Sequence, residues 1–116
     1  MDTMRKPATR EQRTAPRVTI PEHPEVFDVH SGTAIGQLVN LSSGGLMIAG
    51  PACIERGSVH QFRIPLRQGQ ETVEIQLGAE ALWCEDAHGS GTFWTGLNII
   101  DISLEHLAIV RAVTGD

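Results

Sequence analysis

The sequence has few aromatic residues and no long apolar run. Phenylalanine and tryptophan together make up 4% of its 116 residues, and tyrosine is missing altogether. A surface for single-stranded nucleic acid needs exposed aromatics on which bases stack, so this composition argues against an oligonucleotide-binding barrel. No stretch approaches the roughly 18 apolar residues of a membrane-spanning helix, and the N-terminus is polar and charged. We therefore expect a cytoplasmic protein without a membrane span.

Cysteine is scarce too, and the residue types that bind metals or perform catalysis are scattered. Cys53 and Cys84 have no companion cysteine at metal-ligand spacing. We expect two buried, reduced thiols, with a disulfide between them as the alternative. The five histidines form no pair at the spacing of a zinc site. No serine stands in a nucleophile-elbow sequence, and nothing supplies an obvious general base. The sequence thus predicts neither a metal site nor an enzyme.

Positive charge is concentrated at the N-terminus, although the formal net charge of the chain is −5. Residues 1–17 hold five basic residues against two acids, whereas the remainder holds four arginines against twelve acids. A mainly acidic body cannot neutralise phosphates over a broad face, which argues against a general DNA- or RNA-binding protein. The basic segment can lie on the acidic body, or it can meet a compact anion.

Residues 1–16 show no hydrophobic period and include two prolines, so we expect a flexible basic arm that precedes a folded domain over residues 17–116. Beyond the arm, short runs of alternating apolar and polar residues are bounded by Gly, Pro, Asn and Ser. They predict about six strands, over residues 26–30, 34–41, 46–49, 59–64, 73–83 and 93–100.

The C-terminal residues change to a helical period from about residue 103. Ser103 is a candidate N-cap, apolar residues follow at helical spacing, and Gly115 is a candidate stop. Six strands at near-regular spacing with one terminal helix predict a mostly β protein. We expect an antiparallel barrel whose open end the helix covers.

Two short motifs carry chemical information. Arg13 and Arg17 lie four residues apart, and Asn40, Ser42 and Gly45 follow in a strand and the turn after it. The arginine fork matches phosphate oxygens and the O6/N7 edge of guanine, because two parallel N–H donors meet two acceptors. Asparagine and serine add further donors and acceptors, and glycine lets the backbone approach a ligand closely. The motifs indicate a site for an anionic molecule that bears guanine.

The arrangement RxxxR followed by [D/N]xSxxG resembles the signature of PilZ domains, bacterial receptors for cyclic di-GMP. Trp83 and the stretch 95–99 also fall where PilZ domains carry similar residues. The resemblance implies a six-stranded PilZ-type barrel. It further implies that Arg13 and Arg17 clamp phosphate and guanine, that Asn40 and Ser42 bond the ligand, and that Gly45 allows close approach. Further contacts are expected from Arg10, Gln12 and Trp83.

The implied function is a receptor or adaptor without catalytic activity, in which bound cyclic di-GMP orders the N-terminal arm and alters the binding of an effector protein. Many PilZ domains carry an arginine where Gln12 stands. The number of bound ligands, one nucleotide or a stacked pair, therefore stays open. The main alternative is a PilZ-type interaction adaptor that binds no nucleotide, as in type IV pilus assembly. We expect Trp94 to lie in the core.

Overall fold

The computed structural model describes residues 17–87 and 89–115. Seven strands and one helix are formed in chain order. Their bounds are β1 Val18–Thr19, β2 Glu25–Asp28, β3 Ala34–Leu41, β4 Gly45–Gly50, β5 Val59–Gln68, β6 Glu71–Asp86, β7 Phe93–Ile102 and α1 Leu104–Thr114.

Six of the strands close into an antiparallel barrel. The order is β3–β2–β5–β6–β7–β4, and pairing of β4 with β3 completes the ring. The two-residue strand β1 pairs with the end of β3 that β2 leaves uncovered. The predicted six-stranded antiparallel barrel with a C-terminal helix is therefore confirmed. Every strand of the ring has a neighbour on both sides, although β2 and β5 pair over two residues only.

The barrel interior is filled by apolar side chains that alternate with outward-facing residues along each strand. Phe62 of β5 is fully buried. The other fully or almost fully buried apolar residues of the barrel strands are Val26, Leu38, Leu41, Leu46, Ile48, Ile64, Leu66, Ile75, Leu77, Ala79, Ala81 and Leu97. These residues show the period of two that the sequence displays.

The helix begins and ends where the sequence indicates. The Ser103 hydroxyl accepts a hydrogen bond from the His106 N–H at 3.1 Å, so Ser103 is the N-cap. Gly115 has a left-handed backbone with φ of 75°, and its N–H bonds the Arg111 carbonyl. Val110 is completely buried, and Ile109 and Val113 pack against the core cluster. The helix lies against β5 and β6.

Strand β5 is longer than predicted, because the sequence interpretation ended it before Pro65. The strand continues through Pro65, which pairs with Glu74 of β6, and ends at Gln68. Pairing of β5 with β2 covers only Phe62 and Arg63. Pro65 therefore has no strand partner on the β2 side of β5, so no ladder hydrogen bond on that side is lost for want of its N–H. Strands tolerate proline at such edge positions.

The expectation of two buried, reduced thiols is wrong. Cys53 and Cys84 form a disulfide with 5.9 Å between their Cα atoms. Cys53 is exposed and Cys84 is half-buried. The physical reason is topological: β4 and β6 flank β7 on either side, so the segment that leaves β4 passes close to the end of β6. None of the described helices is both long enough and apolar enough to cross a membrane.

Candidate functional site

The turn between β3 and β4 is organised by Ser42, which is only 1% exposed. Its hydroxyl oxygen accepts hydrogen bonds from the N–H groups of Gly44 and Gly45, both at 3.1 Å, and lies 3.4 Å from the Gly45 carbonyl, to which it donates. The Ser42 N–H also donates to the Gly45 carbonyl at 2.8 Å. Ser42 therefore fixes the shape of this turn through its own side chain.

Gly45 lets the turn lie flat against β7. It pairs with Asn98, and a Cβ at this position would lie 2.8 Å from the Leu97 carbonyl oxygen. Any other residue would force the two strands apart, so glycine is required here for close backbone approach. The Gly44 carbonyl accepts a hydrogen bond from the Ile99 N–H at 2.9 Å, which holds the turn to the same neighbour.

Asn40 lies on the outer face of β3, between Thr19 of β1 and Met47 of β4. Its side-chain oxygen Oδ1 is buried and has no hydrogen-bond partner among the described residues. Buried polar atoms are nearly always satisfied, and an unpaired acceptor costs about 1–3 kcal/mol. Asn40 Oδ1 is thus an unused hydrogen-bond acceptor that lies beside the Ser42 turn.

Arg17 comes immediately before β1, and it is half-buried. Because Val18 pairs with Leu41 and Thr19 pairs with Asn40, the same register continued by one residue sets the Arg17 backbone opposite Ser42. The structure therefore brings Arg17 next to the asparagine and serine of the second motif. Arg10, Gln12 and Arg13 lie outside the described residues.

Trp83 lies on the outer face of β6, where it pairs with Gly96 of β7. Its indole ring covers Gly96 so closely that a Cβ on that glycine would overlap the ring. Trp83 is 36% exposed, and Gly96 pairs on its other side with Met47. The register thus sets one continuous row across the outer barrel surface, with the members Trp83, Gly96, Met47, Asn40 and Thr19. We call this set the outer row.

Two residues beside the expected site were missed from the sequence. Met47 lies within the outer row, and Asn98 lies next to Gly45. Both occupy outward positions on strands whose inward neighbours, Leu46 and Leu97, are buried. The period of two in these strands predicts that Met47 and Asn98 face outward. It does not place them beside the site until the strand pairing is known.

The expectation that Trp94 lies in the core is wrong, because Trp94 is 38% exposed. Thr95 and Leu97 of the same strand point inward and are buried, so the alternation turns Trp94 outward. Trp94 pairs with Ala49 and Glu85, two residues along each strand from the outer row and on the same face. The outer face therefore carries two partly exposed indoles instead of one.

The charges that β6 contributes close to the outer row are acidic. Glu85 stands opposite Trp94, and Glu80 stands opposite Asn98. An anion bound on this face would need positive charge from elsewhere to offset these carboxylates. Within residues 17–87 and 89–115, no group of three or more His, Cys, Asp or Glu side chains is arranged to hold a metal ion.

A closed barrel whose outer face combines indole rings, a bare glycine and an unused acceptor has the features of a small binding domain. A family model of the PilZ domain matches residues 11–115, and the chain belongs to this family. No curated protein matches the sequence. Among solved structures, the inhibitor of motility (MotI/DgrA) of Bacillus subtilis has a TM-score of 0.73 at 16% identity. The match covers 86% of this chain and 47% of that one, so the chain spans about half the length of that protein, and the likeness concerns the fold alone.

Proposed function

We propose that this PilZ domain is a cytoplasmic receptor for cyclic di-GMP that acts by binding and not by catalysis. The observation that carries the proposal is that Arg17, the last residue of the first motif, lies beside the second motif. Arg17 stands opposite Ser42 in the β1–β3 register, and Asn40 stands beside them with an unpaired buried oxygen. Sequence separation alone does not require this proximity.

Each part of the face suits a different part of the nucleotide. The Asn40 oxygen is an acceptor for the N–H groups of the guanine Watson–Crick edge. Trp83 and Met47 provide an apolar surface, and stacking of a base on an aromatic side chain contributes about 1–3 kcal/mol. Gly45 contributes by letting the Ser42 turn pack closely against β7 beside this surface. The face therefore accommodates a purine on its apolar part and hydrogen bonds along one edge.

The phosphates are assigned to the arginines. A charge-assisted hydrogen bond from Arg17 to phosphate contributes about 1.5–3 kcal/mol. Arg13 is four residues from Arg17, so chain geometry keeps their Cα atoms within about 14 Å of each other. Arg10 and Gln12 are assigned supporting contacts on the same basis. These charges offset the nearby carboxylates of Glu80 and Glu85.

The output follows from the arm. In this proposal residues 1–16 form a flexible segment before the folded domain of residues 17–116, and they order when Arg13 and Arg17 close over the ligand. Ordering changes the surface offered to an effector protein. The free energy available for this switch equals the ligand's difference in affinity between the two states of the arm.

One observation favours the alternative of a PilZ-type adaptor that binds no nucleotide. The Ser42 hydroxyl already makes three contacts within its own turn, so it is not a spare group for a ligand. In the receptor proposal Ser42 acts by shaping the turn. In the adaptor alternative, the same turn is part of a protein-binding surface.

Calorimetry with cyclic di-GMP, GTP and cyclic di-AMP in parallel tests the proposal. We expect binding of cyclic di-GMP and much weaker binding of the other two. Arg17→Ala should weaken the affinity by at least about tenfold, equal to about 1.4 kcal/mol, because the phosphate contact is lost. The thermal midpoint of the ligand-free protein should change little.

The matched control is Arg111→Ala, which removes the same charge from an exposed position of the helix. It should leave the affinity within about twofold, since an isolated surface charge contributes little. No heat with any of the three nucleotides would favour the adaptor. A large fall in the midpoint of ligand-free Arg17→Ala would mark Arg17 as a structural residue instead.

A further inference from the structure

The segment between β4 and β5, residues 51–58, closes one mouth of the barrel with few contacts. Within the described residues, its internal hydrogen bonds run from the N–H and the hydroxyl of Ser58 to the Glu55 carbonyl. Its hydrogen bonds to β6 lie at its end, where the Gly57 N–H donates to the Ala81 carbonyl and the Ala81 N–H donates to the Ser58 carbonyl. Beneath the segment lies a cavity of about 370 Å³, lined in part by Cys53, Ile54 and Phe62.

The Cys53–Cys84 disulfide is therefore the main attachment of residues 51–56 to the barrel wall. Ile54 adds a packing contact with the core. Cys84 pairs with the buried Thr95, so its side chain faces the inside of β6, whereas Trp83 faces outward over Gly96. Two consecutive residues of β6 thus hold the disulfide on one face and the candidate stacking surface on the other.

The strand is irregular at this point. The register between β6 and β7 shifts between Ala81 and Trp83, so Leu82 is an extra residue that bulges from the ladder. A bulge interrupts ladder pairing and aims the next side chain, which makes the local geometry depend on other constraints. At Trp83 the constraint closest in sequence is the disulfide of the following residue.

We propose that the Cys53–Cys84 disulfide is a redox-modification site whose oxidised state holds β6 in the geometry that binds the nucleotide. The inference rests on the proposed function, which supplies the ligand. It adds that the redox state of the disulfide regulates the affinity for that ligand. A protein that meets its ligand in the cytoplasm lies in a compartment where disulfides are usually transient and redox-sensing. An exposed disulfide there is a substrate for thiol–disulfide exchange.

The exchange partner is a dithiol. One of its thiolates attacks the Sγ of Cys53, which is the more exposed of the two cysteines, and the Cys84 sulfur leaves as a thiolate that takes up a proton. The second thiolate of the partner then attacks the partner's own sulfur in the mixed disulfide, and Cys53 is released and protonated. The protein gains two electrons and two protons, and the dithiol becomes a disulfide.

Reduction releases residues 51–56 from the barrel wall and leaves the Leu82 bulge without its covalent restraint. The indole of Trp83 then samples more positions over Gly96, so less of the protein is in the binding-competent state. Coupling between two sites is typically worth about 5- to 150-fold in affinity. We expect the oxidised form to bind cyclic di-GMP at least about fivefold more tightly than the reduced form.

The test uses the full chain in its oxidised form, verified by intact mass, and the same protein reduced by dithiothreitol. Affinity for cyclic di-GMP is measured by calorimetry for both. Amide hydrogen exchange without nucleotide is measured in parallel, and it should rise at residues 51–58 and 81–86 on reduction. Exchange in α1 is the internal control and should not change.

The variant C53S/C84S is the matched control, because it should bind like the reduced protein and be insensitive to dithiothreitol. Equal affinity of the oxidised and reduced forms overturns the inference. Failure of the dithiol to reduce the disulfide in the folded protein overturns it as well. If neither form binds nucleotide, the proposed function falls. The exchange data then decide the redox inference separately: faster exchange at 81–86 supports control of β6 by the disulfide, and unchanged exchange overturns it.

Discussion

The barrel is closed in two places by two different kinds of attachment. The helix closure consists of α1, which covers the core with Val110 and its neighbours and is capped by Ser103 and Gly115. The disulfide closure consists of residues 51–58 held by the Cys53–Cys84 bond over a cavity of about 370 Å³. The helix contacts β6 near Gln76, and Cys84 lies roughly 26 Å further along that strand.

The difference between the closures lies in how their stability is distributed. Many small contacts hold the helix closure, so no single chemical event releases it. One covalent bond holds most of the disulfide closure, and a dithiol can break it. The candidate nucleotide site shares β6 with the second closure, because Trp83 precedes Cys84. The disulfide closure has two discrete states, oxidised and reduced. A nucleotide site next to it can therefore change its affinity with the redox state.

Removal of the disulfide should have the largest effect on stability. C53S/C84S opens a loop of about 32 residues, and chain entropy predicts a loss of roughly 3–4 kcal/mol in the free energy of unfolding. Urea denaturation followed by circular dichroism measures this loss. Wild-type protein in dithiothreitol is the control and should give the same curve as the variant. A loss below about 1 kcal/mol would mean that the disulfide restrains the unfolded chain much less than the chain-entropy account predicts.

Truncation of the helix contact should cost less and should not depend on the redox state. Val110→Ala removes two methyl groups from a fully buried site, which costs about 2 kcal/mol in the free energy of unfolding. The loss should be the same in the oxidised and reduced proteins, because distant sites contribute additively. The same substitution at Val59, which is 57% exposed, is the matched control and should cost under about 0.5 kcal/mol.

Coupling of the two closures would contradict this comparison. It would appear as a Val110→Ala loss that differs between the oxidised and reduced proteins by more than the usual error of additivity, about 0.5 kcal/mol.

The sequence predicts the helix closure well and the disulfide closure poorly. Ser103, the helical spacing and Gly115 are local signals, and all three are borne out. Pairing of Cys53 with Cys84 depends on how β4, β7 and β6 are arranged, because these cysteines lie 31 positions apart in sequence. Strand alternation gives each residue a face, but it does not say which strands are neighbours.

The same limit applies to the candidate site. Asn40, Ser42 and Gly45 were found from their motif because they are close in sequence. Met47 and Asn98 became apparent only from the register of β4 against β3 and β7. The exposure of Trp94 contradicts its apolar character and follows from its place between inward-facing neighbours in β7. A hydrophobic residue in a strand can lie on either face, and only the three-dimensional pairing decides which one.

The smallest effect is expected from Asp28, which lines the cavity at the disulfide closure. Partial burial raises the pKa of Asp28, but hydrogen bonds from Ser31 and the nearby imidazoles of His30 and His60 lower it by more. The pKa of this carboxyl therefore lies below its ordinary value. A lowered pKa in the folded state stabilises the protein above the ordinary pKa of about 3.9, and this contribution is lost as the pH falls through the folded value.

Asp28→Asn should therefore reduce stability by less than about 1 kcal/mol at neutral pH, since the carboxyl is close to solvent. The difference between variant and wild type should shrink as the pH falls below about 3.9 towards the lowered folded-state pKa, because wild-type Asp28 then becomes protonated as well. Urea midpoints measured from pH 7 to pH 3 test this, with Asp101→Asn as a control at an exposed strand position. A difference that persists at the acid end would mean that the Asp28 side chain stabilises this closure through its shape and hydrogen bonds and not through its charge.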